Sequence, residues 1–551
     1  MNRDKLIFYQ IFTRLYGNIN TTRKENGTLA QNGCGKMNDF TPSALKKIRE
    51  MGVSHIWYTG IIRHATQTDY SAYGIPKNHP AIVKGKAGSP YAITDYYDVD
   101  PDLAVDVNNR MAEFESLIGR THKAGMKVII DFVPNHVARQ YHSLCKPEGV
   151  KDLGEEDNPQ QGFDPQNNFY YCPGQRFAPY FDLYHGENEP YIEEPAKATG
   201  NDCFNNAPGM NDWYETVKLN YGLDYYAGRV GHFNPIPNTW SKMTDILLFW
   251  AKKGVDGFRC DMAEMVPVDF WRWAIDKVKF IYPDKIFIGE VYNPAEYRNY
   301  LVAGFDYLYD KVGMYDTLRE VMRGNLSTHS ITGAWQATDD IRNHMLYFLE
   351  NHDEQRIASS FFAGDAQKGV PALAVSALLQ QNPLMIYAGQ EYGEKGMDKE
   401  GFSGNDGRTT IFDYWSVDTL VRAAERKLTA AEKHLKDTYD KIINIAHSEK
   451  AVTDGMSFDL MYVNDDSQRQ YAFIRKAGNE VLLIIANFDN VSAIANITIP
   501  AHAFDYLGIK EKNAQATDLL SGNKIRITLK RDGAVTACVD AQSVAILKFK
   551  S

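Results

Sequence analysis

The pattern of apolar and polar positions over the first 450 residues repeats one unit: an amphipathic helix, a glycine, and a short β-branched or aromatic run. The unit occurs as KKIREMG before VSHIWYTG, as THKAG before MKVIIDFV, and as WAKKG before VDGFRCD. Glycine just after a helix accepts the left-handed conformation that closes the last turn, so each unit predicts a short connection into a buried parallel strand. Similar runs at 6–12, 285–291, 304–310, 344–350 and 383–388 bring the predicted strands to eight. Eight strands that alternate with helices predict a closed (β/α)8 barrel.

Two stretches depart from this pattern. About 120 residues separate the strand that ends near Val133 from the strand that begins near Gly254, far more than an ordinary βα connection. From about residue 449 the chain alternates in the manner of an antiparallel β-sandwich, as in QYAFIRK and VLLIIANF. We therefore predict a barrel domain in two parts, 1–136 and 241–448, an inserted domain at 137–240, and a C-terminal β-sandwich domain at 449–551.

Composition and charge exclude two classes of partner. The formal net charge is −10 and the pI is about 5.8, and no basic stripe is present that could neutralise the phosphates of a polyanion. We therefore expect no nucleic-acid partner. No apolar run approaches the roughly 20 residues that span a bilayer, so we expect no membrane partner either.

The start of the chain and its cysteines bear on the cellular compartment. The segment MNRDKLIFYQIF is more typical of a strand than of the core of a signal peptide, so we expect a cytoplasmic protein unless such a peptide has been removed. Six scattered cysteines show neither metal-ligand spacing nor a dense disulfide framework. Cys172 and Cys203 could pair in an exported protein, whereas reduced thiols fit the cytoplasm, and the sequence leaves that choice open.

Four short stretches place a carboxylate or a histidine at the C-terminal end of an apolar run. They are DFVPNH at 131–136, GFRCD at 257–261, IGEV at 288–291 and ENHDEQR at 350–356. Side chains at these strand ends converge on one face of a barrel, so acids that are distant in sequence can meet around one substrate bond. A retaining glycosidase needs one protonated carboxyl group beside the leaving oxygen and an ionised one about 5 Å away. The pattern therefore predicts sugar chemistry.

The same four stretches, in this order and on predicted strands three, four, five and seven, resemble the characteristic sequence regions of the α-amylase family, glycoside hydrolase family 13. The long insert after strand three and the terminal β-domain resemble the architecture of that family. The resemblance implies that Asp261 is the nucleophile and Glu290 the general acid and base. It also implies that Asp353 is a third carboxylate, which stabilises charge and distortion in the sugar.

The resemblance extends to residues that would bind the substrate. It implies that His136 and His352 bond to sugar hydroxyls in the subsite where the bond breaks. Tyr91, in SPYAITDYYDVD, resembles the tyrosine that stacks under the same sugar. Together these three side chains predict a subsite around the scissile bond.

Two arginines complete the predicted substrate-binding set. Arg259 stands two residues before Asp261 and hence on the same side of its strand, so an ion pair is expected to hold the nucleophile ionised. Arg356 stands three residues after Asp353. We assign it to the nucleophile side of the site, with a purely structural ion pair as the alternative.

The usual calcium site of the family is not expected in this chain. Many members bind calcium between barrel and insert through an asparagine, here Asn135, and a histidine four residues after the nucleophile, where this chain has Met265. A thioether is a poor ligand for a hard, oxygen-seeking cation. We therefore predict that no cofactor is required, with Asn135 as a weak calcium candidate. Glu264 also stands where amylases often carry a lysine that faces the leaving group.

The sequence as a whole predicts an enzyme that hydrolyses α-glucosidic bonds in starch, glycogen or maltooligosaccharides, with retention through a covalent glycosyl-enzyme. An α-glucan transglycosylase is the closest alternative, because a sugar hydroxyl can discharge the same intermediate in place of water. A noncatalytic carbohydrate-binding homologue is the third. That last reading is disfavoured because all three carboxylates are present.

Overall fold

The computed structural model describes residues 5–183, 189–396, 402 and 404–551. Eight parallel strands close into a barrel in chain order. They are β1 (Ile7–Phe12), β2 (His55–Thr59), β3 (Lys127–Phe132), β4 (Gly257–Cys260), β5 (Ile286–Gly289), β6 (Tyr307–Tyr309), β7 (Met345–Phe348) and β8 (Leu384–Tyr387). Strand β1 pairs with both β2 and β8, which closes the circle. The predicted (β/α)8 barrel is confirmed.

The barrel interior is a packed core. Its strands contribute large apolar side chains that are almost entirely buried, in keeping with the layered filling of such barrels. The cluster consists of Phe8, Trp57, Ile129, Ile288, Tyr309, Tyr315, Leu346, Phe348 and Met385. The catalytic face therefore rests on a rigid floor.

The helices pack around the barrel and begin and end as the sequence indicates. Thr41 caps the helix Pro42–Glu50 by accepting a hydrogen bond from the Ala44 amide at 3.2 Å. Gly52, Gly125 and Gly254 each follow a helix with φ between 78° and 99°, which confirms the predicted helix–glycine–strand connections. The remaining longer helices are Arg110–Lys123, Asn238–Lys252, Val268–Ile281, Tyr297–Val302, Asp316–Met322, His329–Gln336, Gly369–Leu378, Asp418–Ala424 and Ala430–Ser448.

The segment between β3 and β4 forms short antiparallel pairs linked by irregular chain. The pair most relevant to the site joins His136–Ala138 to Thr216–Lys218. The other pairs are Tyr171–Cys172 with Ala196–Lys197 and Leu223–Asp224 with Val230–Gly231. Because His136–Ala138 follows β3 almost directly, this pairing fixes the inserted segment against the C-terminal face of the barrel. Cys172 and Cys203 are free thiols in the described chain.

The C-terminal region contains the predicted antiparallel sheet. Six strands pair in the order Met456–Asp459, Gln470–Ala477, Glu480–Asn487, Ser543–Lys550, Lys512–Asp518 and Lys524–Leu529, and Ala493–Ile499 pairs with Gly533–Val539. The buried Arg475 joins this sheet to the barrel, since its guanidinium donates to the Leu379 carbonyl at 2.9 Å and to the Val452 carbonyl at 2.6 Å. No helix among the described residues is long and apolar enough to cross a bilayer.

Candidate active site

The C-terminal ends of the barrel strands open into a cleft of about 540 Å³. Three groups of residues line it: strand-end residues, the inserted segment, and the loops after β2, β6, β7 and β8. The lining residues are Lys84, Ser89, Tyr91, His136, Trp213, Glu215, Thr216, Asp261, Met262, Glu290, Tyr292, Lys311, Val312, Asp353, Glu354, Ile411 and Phe412. The three predicted catalytic carboxylates are thus brought together in one cleft.

Arg259 joins two of these carboxylates. Its guanidinium is fully buried, and its Nη1 atom lies 2.7 Å from Oδ1 of Asp261 while its Nη2 atom lies 2.8 Å from Oε2 of Glu290. Each carboxylate directly follows its strand, Asp261 after β4 and Glu290 after β5. Because one guanidinium contacts both groups, the two carboxylates are near enough to act on opposite sides of one bond.

Glu290 also accepts two hydrogen bonds. The Met262 amide donates to its Oε2 atom at 2.8 Å, and the Tyr292 hydroxyl donates to its Oε1 atom at 2.7 Å. Met262, whose amide makes this contact, adopts a left-handed conformation with φ of 44°. Every oxygen of Glu290 therefore has a donor that fixes its direction. Tyr292 was not among the predicted site residues.

Asp353 lies in a chain of polar contacts with His352 and Tyr91. Nε2 of His352 is 3.2 Å from Oδ2 of Asp353 and 2.5 Å from the Tyr91 hydroxyl. The Tyr91 and His352 rings are stacked, with centroids 5.3 Å apart, and Gln10 contacts the other ring nitrogen at 2.8 Å. The Asp353 side chain is 39% exposed, against 8% for Asp261. Asp353 is thus the carboxylate most open to the cleft.

Burial and the neighbouring charges shift the pKa of the nucleophile candidate. Desolvation raises the pKa of Asp261 well above its usual range, and the nearby Glu290 and Asp353 act in the same direction, while Arg259 opposes them. The predicted ion pair between Arg259 and Asp261 is present, but burial outweighs it. Desolvation likewise raises the pKa of Asp353, again against Arg259.

His136 lines the cleft, whereas the His352 side chain is fully buried, and burial lowers the pKa of both. Burial lowers the pKa of His136 to about 3, and the cationic Lys218 adds to that effect. Burial also lowers the pKa of His352 to about 3, with Arg259 acting in the same direction. Neutral imidazoles can each donate and accept a hydrogen bond. His136 therefore suits sugar hydroxyls, which do both, whereas the nitrogens of His352 already contact Gln10, Tyr91 and Asp353.

Asp131, which the sequence analysis did not select, lies beneath the predicted carboxylates. It accepts a hydrogen bond from the Trp57 indole at 3.0 Å and lies 3.5 Å from Arg259. Desolvation raises its pKa to about 6, with Arg259 opposing. Asp131 therefore supports Arg259 from the barrel side.

The inserted segment supplies cleft residues that have no signal in the sequence. The Trp213 ring lies 5.2 Å from the His136 ring, and Lys84 pairs with Glu215 at 3.0 Å. In an irregular stretch rich in Asn and Gly, the sequence does not indicate in which direction a tryptophan side chain lies. These positions are determined by the tertiary structure alone.

Arg356 lies outside this cleft, which corrects its assignment to substrate binding. It is buried, and its guanidinium contacts Glu350 at 2.8 Å, the Thr409 hydroxyl at 2.8 Å and the Ala388 carbonyl at 3.1 Å. These contacts occupy the nitrogens of the Arg356 guanidinium, which therefore does not contact Asp261. The purely structural ion pair, named above as the alternative, is the arrangement found.

Glu264 also has a structural position. Its carboxylate accepts hydrogen bonds from the Tyr292 amide at 3.1 Å and the Asn293 amide at 3.0 Å. It is therefore directed toward the loop that follows β5. This loop carries the Tyr292 side chain that contacts Glu290, so Glu264 acts on the site through the backbone.

The residues around Asn135 do not fit a calcium ion. Asn135 donates to the Gly200 carbonyl at 2.8 Å, and its Oδ1 atom accepts a hydrogen bond from the Lys218 ammonium. The same ammonium pairs with Asp202 at 2.7 Å. A divalent cation among these oxygens would be repelled by the ammonium that already contacts them.

Comparison with known proteins places this site in a family. The family model for the α-amylase catalytic domain matches residues 10–451. The chain belongs to the α-amylase family. It is 23% identical over 80% of its length to α-amylase 3 of Dictyoglomus thermophilum, of which it spans 82%. It is 22% identical over 95% of its length to a cyclomaltodextrin glucanotransferase of Geobacillus stearothermophilus, and it spans 64% of that protein.

Solved structures agree with this family assignment at the level of the fold. A maltogenic α-amylase from Thermotoga neapolitana superimposes with a TM-score of 0.65, with 20% identity and 100% of both chains covered. An α-amylase from Geobacillus thermoleovorans gives the same TM-score at 18% identity, covering 99% of this chain and 98% of that one. The protein is therefore a glycoside hydrolase of the α-amylase family.

Proposed function

We propose that this enzyme hydrolyses α-glucosidic bonds in starch, glycogen or maltooligosaccharides with retention of the anomeric configuration. The observation that carries the proposal is the buried Arg259, whose one guanidinium contacts both Asp261 and Glu290. Contact of both carboxylates with one guanidinium favours the short separation of about 5 Å that retaining enzymes use, whereas inverting enzymes keep their carboxylates further apart to admit a water.

In the first step Glu290 gives its proton to the glycosidic oxygen while an Asp261 oxygen attacks the anomeric carbon. The bond from that carbon to the leaving oxygen breaks, and an ester to Asp261 forms. The oxocarbenium-like transition state carries positive charge that the nearby carboxylates stabilise. Asp353, which is open to the cleft, is placed to accept hydrogen bonds from the sugar hydroxyls.

In the second step the ionised Glu290 removes a proton from water. The oxygen of that water attacks the anomeric carbon, the ester bond breaks, and Asp261 leaves as a carboxylate. The Met262 amide and the Tyr292 hydroxyl, which donate to Glu290, and the Arg259 charge 2.8 Å away stabilise the charge that Glu290 carries between the steps. Two inversions at one carbon return the α-anomer.

Binding in the subsite at the scissile bond falls to the residues around Asp353. Tyr91 offers a ring face to the sugar, and His136 offers a neutral nitrogen to its hydroxyls. His352 is buried beside them and contacts the Tyr91 hydroxyl and Asp353. Trp213 adds a second aromatic surface next to His136. These side chains hold the sugar in position while the carboxylates act.

Transfer to a sugar acceptor is the second candidate activity. The cleft walls beyond the catalytic carboxylates include apolar side chains, Trp213, Val312, Ile411 and Phe412, which could bind an acceptor ring and exclude water. One relative is a cyclomaltodextrin glucanotransferase. The acceptor alone distinguishes the two activities, since the covalent intermediate is the same.

Product analysis separates the candidates. The enzyme is incubated with maltoheptaose, pullulan or sucrose, and products are followed by chromatography together with a reducing-end assay. Hydrolysis of maltoheptaose or pullulan predicts shorter oligosaccharides and one new reducing end for each bond broken, and hydrolysis of sucrose predicts glucose and fructose. Products longer than maltoheptaose with no gain in reducing ends would instead establish transfer. Absence of turnover on every α-glucan tested would support the noncatalytic reading.

A further inference from the structure

A buried ammonium lies at the junction between the barrel and the inserted segment. Lys218 ends the strand Thr216–Lys218 and is 2% exposed. Its Nζ atom contacts Oδ1 of Asn135, lies 2.7 Å from Oδ1 of Asp202, and lies 3.4 Å from the Met265 carbonyl. These three oxygens come from three separate segments, after β3, within the insert and after β4. One cation thus contacts all three parts of the chain at a single point.

The chemistry of this cluster is that of a cation site. A side-chain amide oxygen, a carboxylate and a backbone carbonyl are ligands that hard cations use. Burial of Lys218 costs solvation energy, and the ion pair with Asp202 offsets part of that cost. Asp202 holds a left-handed backbone conformation, with φ of 63°, while its carboxylate contacts the ammonium.

While Lys218 is present, its surroundings among the described residues leave no uncompensated negative charge for a second cation. Arg229 acts on Lys218 as a repelling charge, and the Tyr225 ring lies 5.7 Å from the ammonium. Asp202 is the carboxylate that contacts this group, and the other two oxygens are neutral. One carboxylate balances the monovalent ammonium, so a divalent ion has no place at these oxygens while Lys218 occupies them.

The ammonium is also coupled to the cleft. Lys218 lies directly opposite His136 in the antiparallel pair. Asn135, which Lys218 contacts, lies next to His136, and its amide is 3.1 Å from Nδ1 of that histidine. A shift of Lys218 would therefore move the strand paired with His136, and it would also move Asn135, the side chain that contacts the His136 ring.

We propose that the Lys218 ammonium is the resident cation of this junction, which replaces a metal ion in fastening the insert to the barrel and positions His136 in the cleft. Lys218 is a positioning residue, since it acts on the substrate through Asn135 and His136. The part of this inference that concerns the cleft rests on the proposed function. The part that concerns the cation rests on the contacts of Lys218 alone.

The first test uses the wild-type enzyme. After prolonged EDTA treatment, the melting temperature and kcat/KM should be unchanged, and titration with calcium should show no binding at this junction. A fall of more than about 10 °C that calcium reverses would overturn the proposal, because a bound ligand stabilises only the state that binds it. This arm needs no variant and no known substrate.

The second test removes the Lys218 ammonium by substitution and asks whether calcium can take its place. Lys218→Ala leaves three oxygens around a space without a cation, so calcium should raise its melting temperature and lower its KM. Lys218→Met keeps the side-chain length without the charge, so its KM should rise about tenfold, the loss of roughly one hydrogen bond, with no response to calcium. Adding Asp202→Asn to Lys218→Ala should abolish the calcium response.

Lys197→Ala is the matched control. Lys197 is an insert lysine, 22% exposed, whose ammonium is 4.0 Å from Glu193. The control should show neither a raised KM nor a calcium response. A Lys218→Met enzyme with wild-type KM and melting temperature, or a Lys218→Ala enzyme indifferent to calcium, would contradict the proposal.

The KM and kcat readings, taken well below the melting temperature, separate positioning from stability. A merely structural role would lower the melting temperature and leave KM unchanged in the folded enzyme. An enzyme inactive on every α-glucan, whose variants still show the expected melting response to calcium, would refute the proposed function and leave the cation assignment standing.

Discussion

Replacement of Arg259 by lysine tests how the two catalytic carboxylates are held together. The guanidinium contacts Asp261 and Glu290 through different nitrogens, at 2.7 and 2.8 Å. An ammonium is a single point charge on a shorter head group and cannot reproduce that forked contact. Arg259→Lys therefore keeps the net charge of the site and removes at least one charged hydrogen bond.

The expected loss follows from that missing contact. A hydrogen bond to a charged group contributes about 1.5–3 kcal/mol, which corresponds to a loss of roughly 10- to 150-fold in kcat/KM. Arg259 also opposes the raised pKa of Asp261, so its replacement should raise that pKa further. Because Asp261 must be ionised to attack, the rate falls as the pH drops through its pKa. The acid limb of the profile should therefore move to higher pH.

The assay is the pH profile of kcat/KM on the best α-glucan substrate, with the melting temperature measured alongside. Arg356→Lys is the matched control, because Arg356 is a second buried arginine paired with a carboxylate but lies outside the cleft. The control should lose stability and keep the wild-type pH profile. A less than twofold change in kcat/KM for Arg259→Lys, with an unmoved acid limb, would refute this account of Arg259.

Two further predictions follow from the cleft. Asp261→Asn should lose about 10⁴-fold or more in kcat while its melting temperature stays near that of wild type, because an amide cannot form the glycosyl ester. A variant that keeps more than a tenth of wild-type activity would show that Asp261 is not the nucleophile. Trp213→Ala should raise KM about tenfold, or 1.4 kcal/mol, with a smaller effect on kcat, because it removes a ring face beside His136. Initial rates over a range of maltoheptaose concentrations give kcat and KM for both variants. An unchanged KM in Trp213→Ala would show that Trp213 does not contact the substrate.

The sequence predicted the barrel and the placement of its strand-end carboxylates for a simple physical reason. Strand ends are local features, and barrel closure brings them to one face whatever the loops do. Asp261 and Glu290 each follow a short apolar run directly, so their convergence in the cleft required only the fold. The long insert and the terminal sheet were predicted because the repeated helix–glycine–strand pattern stops in both stretches.

The positions of the other residues depend on contacts between segments that are distant in sequence. The spacing of apolar residues carries no information about such contacts. Lys218 stands in a three-residue strand and reads as an ordinary solvated lysine, yet it is buried against Asn135 and Asp202. Arg356 stands near Asp353 in sequence, but its long side chain reaches Glu350. Tyr292 depends on a loop whose course is set by hydrogen bonds to Glu264. Each outcome was determined by where a neighbouring segment folds.

The stereochemistry of the first product tests the central claim most directly. Proton NMR of the anomeric region during the first turnovers on maltoheptaose, before mutarotation, identifies the anomer that the enzyme releases. Attack by Asp261 followed by water activated by Glu290 predicts the α-anomer first, with the β-anomer growing in only as mutarotation proceeds. Initial release of the β-anomer would mean a single displacement and would contradict the assignment of Asp261 as the nucleophile.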